Sequence, residues 1–189
     1  MANAFVPEIP DWDSDGLLPV IHPHTLDQSP YKVSSEQLVI AMGTTEKRIQ
    51  LLRGWLNLRN ELYVIGLVNG WQWVNGSFAQ NVEKSENRDP NDVDVVTFVH
   101  FPDGIDINAF FLQHERLLDS LYTKREFGVD AYYFDLSRSP HSWFMDRTRY
   151  WHNWWSHTRK NEEKGYFQVL LSAEDDKKAL EFLNSKGVK

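Results

Sequence analysis

Hydrophobic and polar residues along this chain follow two periods, one typical of helices and one typical of strands. Apolar residues recur every three or four positions over 45–63 and again over 106–126, which predicts two amphipathic helices. Short β-branched or aromatic runs at 67–74, 92–99 and 127–135 predict strands. Strand and helix alternate through the centre of the chain. We therefore expect an α/β (α+β) fold in which helices flank a small mixed sheet.

The two ends of the chain have a different character. Five of the eight prolines fall in residues 1–33, which predicts an irregular N-terminal arm because proline breaks helices and forces turns. Residues 140–189 are predicted to form a C-terminal helical part, with a short strand or buried segment at 165–171 and a closing helix that Ser172 caps. No repeat or linker interrupts the chain, so we expect a single domain over residues 1–189.

Composition excludes several classes of function. The chain has 189 residues, of which 41% are hydrophobic and 25% charged, as in ordinary globular proteins. The net charge of −7 argues against a protein that coats nucleic acid by charge alone, although a local basic patch stays open. Cysteine is absent, which excludes disulfides, thiol nucleophiles and cysteine-ligated zinc. The sequence has neither a leader-like opening segment nor an apolar run of membrane-spanning length, so we expect a cytoplasmic protein without membrane association.

The strongest chemical signal is a glycine turn followed by paired acids. Gly76 can turn the backbone tightly after the first predicted strand, and Ser77 can cap a helix that begins there. Asp92 and Asp94 open the next predicted strand, and residues two apart in a strand point to the same side. Two like charges held that close are unfavourable unless a cation lies between them, and Mg²⁺ prefers carboxylate oxygens.

A third acid can complete this pair. Asp130 lies in the apolar strand predicted at 127–135, where an acid costs stability unless it is paired, hydrogen-bonded or bound to metal. If that strand neighbours the first acidic strand, Asp130 joins Asp92 and Asp94. Asp135 is an odd number of residues from Asp130 and should face the other side of a regular strand. We therefore favour Asp130 over Asp135 as the third ligand.

One further segment, residues 140–160, combines aromatic and basic residues. On a helix its aromatic residues form one broad face and Arg149, His152, Ser156 and Arg159 form another. Aromatic stripes at helical spacing usually belong to a core, and we favour that interpretation. A platform for a nucleotide base or for polynucleotide phosphates is the alternative. The aromatic residues are Trp143, Phe144, Tyr150, Trp151, Trp154 and Trp155.

Together these residues resemble the active-site pattern of the DNA polymerase β-like nucleotidyltransferase superfamily. The similarity is greatest to a poorly characterised minimal branch with the signature Gly-Ser-Phe, a lysine, then Pro-Asn-Asp-hydrophobic-Asp. Here the signature is Gly76-Ser77-Phe78, Lys84 and Pro90-Asn91-Asp92-Val93-Asp94, followed by Val129-Asp130. Gly16-Leu17-Leu18-Pro19, His22, Tyr150-Trp151 and Lys164-Gly165 also look like that branch. The segment between Ser77 and Asp92 is slightly longer than in the compact versions.

The resemblance implies a nucleotidyltransferase-type sheet and a two-metal reaction that releases pyrophosphate. Gly76, Ser77 and Lys84 would bind the nucleotide, with ATP the expected NTP. Asp92, Asp94 and Asp130 would be the catalytic residues and would ligate two Mg²⁺ ions, or Mn²⁺ in their place. The expected acceptor is a hydroxyl of a protein or of RNA such as tRNA, and the expected setting is a toxin–antitoxin pair or phage defence, with a partner protein.

Two other functions stay open at this point. In the first, Asp92 caps its turn and Asp94 pairs with a nearby arginine, which would make the chain a catalytically inactive module that binds nucleotide or a partner protein. In the second, the basic aromatic segment binds RNA, with an affinity that falls steeply as salt is added. Joint presence of the glycine turn and all three acids leads us to favour an active site.

Overall fold

The computed structural model describes residues 9–138 and 140–186, and within them five strands form one mixed sheet. The strands are β1 (Tyr31–Val33), β2 (Asn69–Asn75), β3 (Val93–His100), β4 (Val129–Asp135) and β5 (Phe167–Leu170). Their order across the sheet is β1-β5-β2-β3-β4. Strand β2 is antiparallel to β3 and β5, whereas β3 and β4 are parallel to each other, as are β1 and β5. The predicted mixed α/β class is confirmed.

Eight α-helices flank this sheet in the described residues: α1 (Ser35–Met42), α2 (Glu46–Val64), α3 (Val82–Ser85), α4 (Ile107–Gln113), α5 (Glu115–Leu118), α6 (Ser120–Phe127), α7 (His141–Trp155) and α8 (Ala173–Ser185). A one-turn 3-10 helix covers Ser77–Ala79. Side-chain hydroxyl caps start three of these helices, and the cap at Ser172 is the one that the sequence predicts. The hydroxyls of Ser34, Thr45 and Ser172 accept hydrogen bonds from the first turns of α1, α2 and α8. No helix in the described part of the chain is long and apolar enough to cross a membrane.

The single long helix predicted over 106–126 is wrong, because this segment forms the three short helices α4, α5 and α6. The backbone leaves the helical region at His114 and again at Asp119, where φ is −96° and ψ is 118°. The Asp119 side chain accepts a hydrogen bond from the amide of Leu121 and so starts α6 as a new helix. Helix α6 then ends at Phe127, Gly128 caps it, and the chain enters β4 at Val129.

The N-terminal arm also differs from its prediction at one end. Residues 31–33, the last of the predicted arm, form β1 and pair with β5. The described remainder of the arm, residues 9–30, runs irregularly apart from a bridge between Ile21 and Gln28. Residues 1–8 of the arm and residues 187–189 of the predicted C-terminal part lie outside the described residues.

Apolar side chains cover both faces of the sheet. On one face Val93 and Val95 of β3 and Val129 of β4 join a core cluster with α1, α2 and α8. On the other face Val96 and Phe98 of β3 join a second cluster, against which α7 packs. Since side chains alternate between the faces of a strand, residues 94 and 130 point to the α7 face. The hydrophobic pattern thus decides which face carries the acids.

Candidate active site

The structure brings three carboxylates together at one end of two parallel strands. Asp94 of β3 and Asp130 of β4 are direct partners in the register, and Asp92 immediately precedes β3. One oxygen from each of the three carboxylates lies within 4.8 Å of the others. Asp135 lies at the far end of β4, opposite Val99, and forms an ion pair of 3.1 Å with Arg138. The geometry therefore places Asp130, and not Asp135, beside the pair.

A glycine turn abuts the middle carboxylate of this cluster. Strand β2 ends at Asn75, which is opposite Asp94 in the sheet, and Gly76 follows with φ 81° and ψ −161°. That conformation is essentially restricted to glycine. A Cβ at position 76 would overlap the Asp94 carboxylate, with the carboxyl carbon 2.8 Å away and Oδ2 closer still. The backbone of the glycine turn therefore packs directly on the Asp94 carboxylate and leaves no room for a side chain between them.

A one-turn 3-10 helix follows the glycine turn, and Ser77 does not cap it. Gly76 takes the N-cap position of the 3-10 helix, without a side-chain cap hydrogen bond, and Ser77 is the first residue inside the helix. The predicted capping role of Ser77 is therefore wrong. The Ser77 hydroxyl has no hydrogen-bond partner among residues 9–138 and 140–186, so it is available to a ligand.

A buried arginine holds the backbone that follows the glycine turn. Arg48 of α2 has no exposed surface, and its guanidinium donates to the carbonyl oxygens of Phe78 at 2.7 Å and Gln80 at 2.5 Å. Glu83 of α3 balances its charge at 2.5 Å. The arm contributes as well, since the Trp12 indole donates to the Ala79 carbonyl at 3.1 Å. These contacts tie the segment after Gly76 to the core and leave it little freedom to drift away from Asp94.

Electrostatic crowding is strongest at Asp94. Burial, followed by the charges of Asp92 and Asp130, raises the pKa of its carboxyl to about 6, while the Lys124 and Lys164 ammonium groups oppose the shift. Ionisation of a carboxyl in this environment costs free energy unless a cation lies close to it. Three carboxylates sharing one small volume are the donor set that hard divalent cations prefer, and these residues fit Mg²⁺ or Mn²⁺.

This crowding predicts a specific pH dependence of stability in the metal-free protein. The folded protein keeps a proton on Asp94 up to about 6, whereas the unfolded chain releases it near 3.8. The native state thus binds more protons in this interval, so the free energy of unfolding falls as the pH rises through it. Asp94→Asn cannot ionise and should escape this loss. In urea titrations with chelator, the stability advantage of Asp94→Asn over wild type should grow from acidic to neutral pH; parallel profiles would contradict the assignment.

Two lysines reach the site, and neither was singled out as a site residue by the sequence. Lys164 is buried and donates to the Asn75 side chain at 2.9 Å and to the Gly76 carbonyl at 3.1 Å. Burial lowers the pKa of Lys164 to about 8, and the Asp94 charge opposes that shift. Lys124 of α6 approaches from the solvent side and pairs with Asp92 at 2.5 Å. Only the Lys164-Gly165 pair had any sequence signal, as part of the resemblance.

Lys84, the lysine that the resemblance implied for nucleotide binding, lies elsewhere. It is exposed on the short helix α3, and its ammonium has no hydrogen-bond or ion-pair partner among residues 9–138 and 140–186. The structure therefore does not join Lys84 to the carboxylate cluster. Its predicted role in nucleotide binding stays a prediction.

The aromatic helix flanks the same face of the sheet, but only part of it is core. Phe144, Trp151 and Trp155 pack in the second core cluster, as the favoured interpretation predicts. Trp143, Tyr150 and Trp154 are exposed instead, by 44%, 52% and 68%. The helix ends at Trp155, so Arg159 and Lys160 follow it in a loop.

This helix is joined to the site at two points. The Asn75 side chain donates to the Trp155 carbonyl at 2.8 Å, next to the glycine turn. Tyr132, two residues after Asp130 on the same side of β4, has its ring 5.2 Å from that of Trp151. Two core-packed residues of α7, Trp151 and Trp155, therefore connect this helix to the strands that carry the site.

The sheet and its acidic edge define a mixed α/β protein in which three carboxylates adjoin a glycine turn. Residues 10–170 match the DUF6932 family, a family of unknown function, and the chain therefore belongs to that family. No curated protein and no solved structure matches the chain.

Proposed function

We propose that this protein is a Mg²⁺-dependent nucleotidyltransferase, which transfers a nucleoside monophosphate from an NTP, first of all ATP, to a hydroxyl of a protein or RNA acceptor. One observation carries the proposal. Oxygens of Asp92, Asp94 and Asp130 lie within 4.8 Å of one another at one end of two parallel strands, directly beside a turn in which only glycine fits. The resemblance of the sequence to the polymerase β-like superfamily rests on the same residues.

In this proposal Asp92, Asp94 and Asp130 hold the metal. Bound there, the metal would neutralise charge on the triphosphate and favour ionisation of the attacking hydroxyl. The Gly76-Ser77 turn supplies backbone amides and a free hydroxyl to phosphate oxygens, and the absence of a side chain at Gly76 lets a phosphate approach the backbone closely. Lys164 fixes the opposite side of the turn through the Gly76 carbonyl.

The reaction itself is a substitution at the α-phosphorus of the NTP. The acceptor oxygen forms a bond to that phosphorus as the bond to the bridging oxygen of the β-phosphate breaks, and pyrophosphate leaves. The acceptor hydroxyl must lose its proton during this step. The resemblance points to Asp130, which lies on the edge strand β4, as the acceptor of that proton.

A transfer assay tests the proposal directly. The protein is incubated with each α-labelled NTP and Mg²⁺ in the presence of a cell extract, and labelled protein and RNA are separated on gels while pyrophosphate is measured. We expect a labelled acceptor, pyrophosphate in equal amount and loss of both on chelation. Nucleotide binding without transfer in any extract would instead support the inactive binding module. Labelling that continues with excess chelator would overturn the metal-dependent mechanism.

The nature of the labelled band then decides the acceptor. Sensitivity to protease assigns a protein acceptor and sensitivity to ribonuclease assigns RNA. A setting in a toxin–antitoxin pair or in phage defence is the part of the proposal that rests on the resemblance alone. Co-expression of a neighbouring gene product that suppresses the labelling would support it.

A further inference from the structure

Lys124 bridges two members of the carboxylate cluster. Its Nζ lies 2.5 Å from Oδ2 of Asp92 and 3.3 Å from Oδ2 of Asp130, so one ammonium contacts both strands' acids. The residue sits near the end of α6, and its carbonyl accepts the hydrogen bond from the Gly128 amide at 3.0 Å. Since β4 starts at the next residue, Lys124 and Asp130 are held by one short, continuous piece of chain.

The exposure of the two lysines at the site differs sharply. The Lys124 side chain is 46% exposed, whereas those of Asp92 and Asp130 are 15% and 19% exposed. Lys164, by contrast, is buried and hydrogen-bonded to the glycine turn. Lys164 is therefore a fixed part of the site. Lys124 lies across its outer side and can swing into solvent without any repacking of the core.

We propose that Lys124 is the internal counter-ion of the carboxylate cluster, which holds Asp92 and Asp130 together in the metal-free protein and gives them up to a divalent cation. The inference deepens the proposed function and rests on its assignment of these carboxylates as metal ligands. While Asp92 Oδ2 lies 2.5 Å from the Lys124 ammonium, it cannot also coordinate a metal ion on that side. Lysine and metal therefore compete for the same oxygens.

This competition has two consequences. The positive charge of Lys124 offsets the repulsion between the carboxylates, so the cluster does not depend on metal for its assembly. The same charge lowers the affinity for metal, because binding has to displace the ammonium from both acids. Lys124 is thus a positioning residue that sets the metal concentration at which the site fills.

Metal binding to the protein alone tests this inference, with Mn²⁺ as the probe and no nucleotide present. Lys124→Met removes the ammonium and keeps an unbranched side chain of similar length. Arg125→Gln is the matched control, because it removes one positive charge from the next residue of α6. The Arg125 guanidinium lies 5.7 Å from the centre of the Tyr122 ring. By electron paramagnetic resonance of free Mn²⁺ we expect Lys124→Met to bind about tenfold more tightly than wild type, the change that 1.4 kcal/mol produces. Arg125→Gln should bind as wild type does.

Three results would overturn the inference: equal or weaker binding by Lys124→Met, an equal increase in both variants, or no Mn²⁺ binding by either wild type or Lys124→Met. Thermal unfolding gives a second measurement. In chelator Lys124→Met should melt below wild type, and added Mn²⁺ should raise its melting temperature by more than it raises that of wild type. Should Lys124→Met fail to fold without metal, Lys124→Gln retains a hydrogen-bonding group without the charge and is measured in its place.

The outcome separates this inference from the proposed function. If Lys124→Met binds Mn²⁺ more tightly and neither protein transfers label from an NTP, the counter-ion role stands and nucleotidyl transfer fails. If label is transferred with Mg²⁺ and the affinity for Mn²⁺ is unchanged in Lys124→Met, the proposed function stands and the counter-ion role fails.

Discussion

Asp94→Asn is expected to reduce label transfer from the NTP by more than about 100-fold. Loss of a residue that only orients a metal ligand costs up to about 100-fold, and loss of a ligand itself should cost more. Asp94 is the central acid of the cluster, in register with Asp130 on one side and with Asn75 on the other. Asparagine has nearly the same shape but lacks the anionic oxygen that a hard cation prefers. The measurement is the initial rate of labelling at saturating Mg²⁺, followed together with pyrophosphate release.

The same variant should not lose stability, which distinguishes a chemical defect from a folding defect. Burial and the charges of Asp92 and Asp130 disfavour the ionised Asp94 carboxylate, so a neutral amide relieves a cost in the metal-free protein. Asp89→Asn makes the same change of charge at an exposed loop position and should retain full activity. Unchanged transfer by Asp94→Asn would remove Asp94 from the mechanism, and with it the central argument for the metal.

Much of the candidate site could be predicted because its geometry follows from strand periodicity. Asp92 and Asp94 are two residues apart at the start of β3, and Asp130 follows the first valine of β4 as Asp94 follows the first valine of β3. Once β3 and β4 pair in parallel, those positions coincide. Period-two patterns therefore sufficed to prefer Asp130 to Asp135, whose position five residues farther along belongs to the other end of the strand.

The errors occurred where local backbone geometry overrode the apolar pattern. Residues 106–126 have helical spacing of hydrophobic side chains, yet the chain breaks at His114 and Asp119. Asp119 favours a new helix start over continuation, since its side chain bonds to the amide of Leu121. A pattern that counts only apolar residues does not register this competition. The break is important for the site, because it makes α6 a separate helix and directs Lys124 at the acids.

The lysines could not have been found from spacing at all. Lys164 meets the glycine turn across 88 residues of sequence, and Lys124 reaches Asp92 across the interface between α6 and the sheet. Such contacts depend on the packing of whole elements, for which neither charge pattern nor periodicity contains a signal. Lys84 had a signal through its place in a motif, but it lies on the exposed side of α3. Motif position therefore does not place Lys84 beside the carboxylates, and its role in nucleotide binding stays a prediction.

Gly76→Ala is expected to abolish transfer almost as completely as the loss of Asp94. A methyl group at position 76 would overlap the Asp94 carboxylate, so either the turn or the carboxylate has to move. Arg48 and Lys164 hold the turn through the carbonyls of Phe78 and Gly76, which leaves Asp94 as the group that yields. The backbone adds a cost of about 1–3 kcal/mol in the free energy of unfolding, because φ 81° with ψ −161° is a conformation that alanine rarely adopts.

Gly104→Ala separates the backbone cost from the displacement of Asp94. Gly104 also has a positive φ, 71°, but a Cβ there would meet no atom within 4 Å. Its alanine variant should lose stability through backbone strain and keep its transfer rate and its affinity for Mn²⁺. Gly76→Ala should lose stability, transfer rate and Mn²⁺ affinity together, since the methyl group acts on a metal ligand. If Gly76→Ala binds Mn²⁺ and transfers label as Gly104→Ala does, the close contact between the turn and Asp94 has no part in the function of the site.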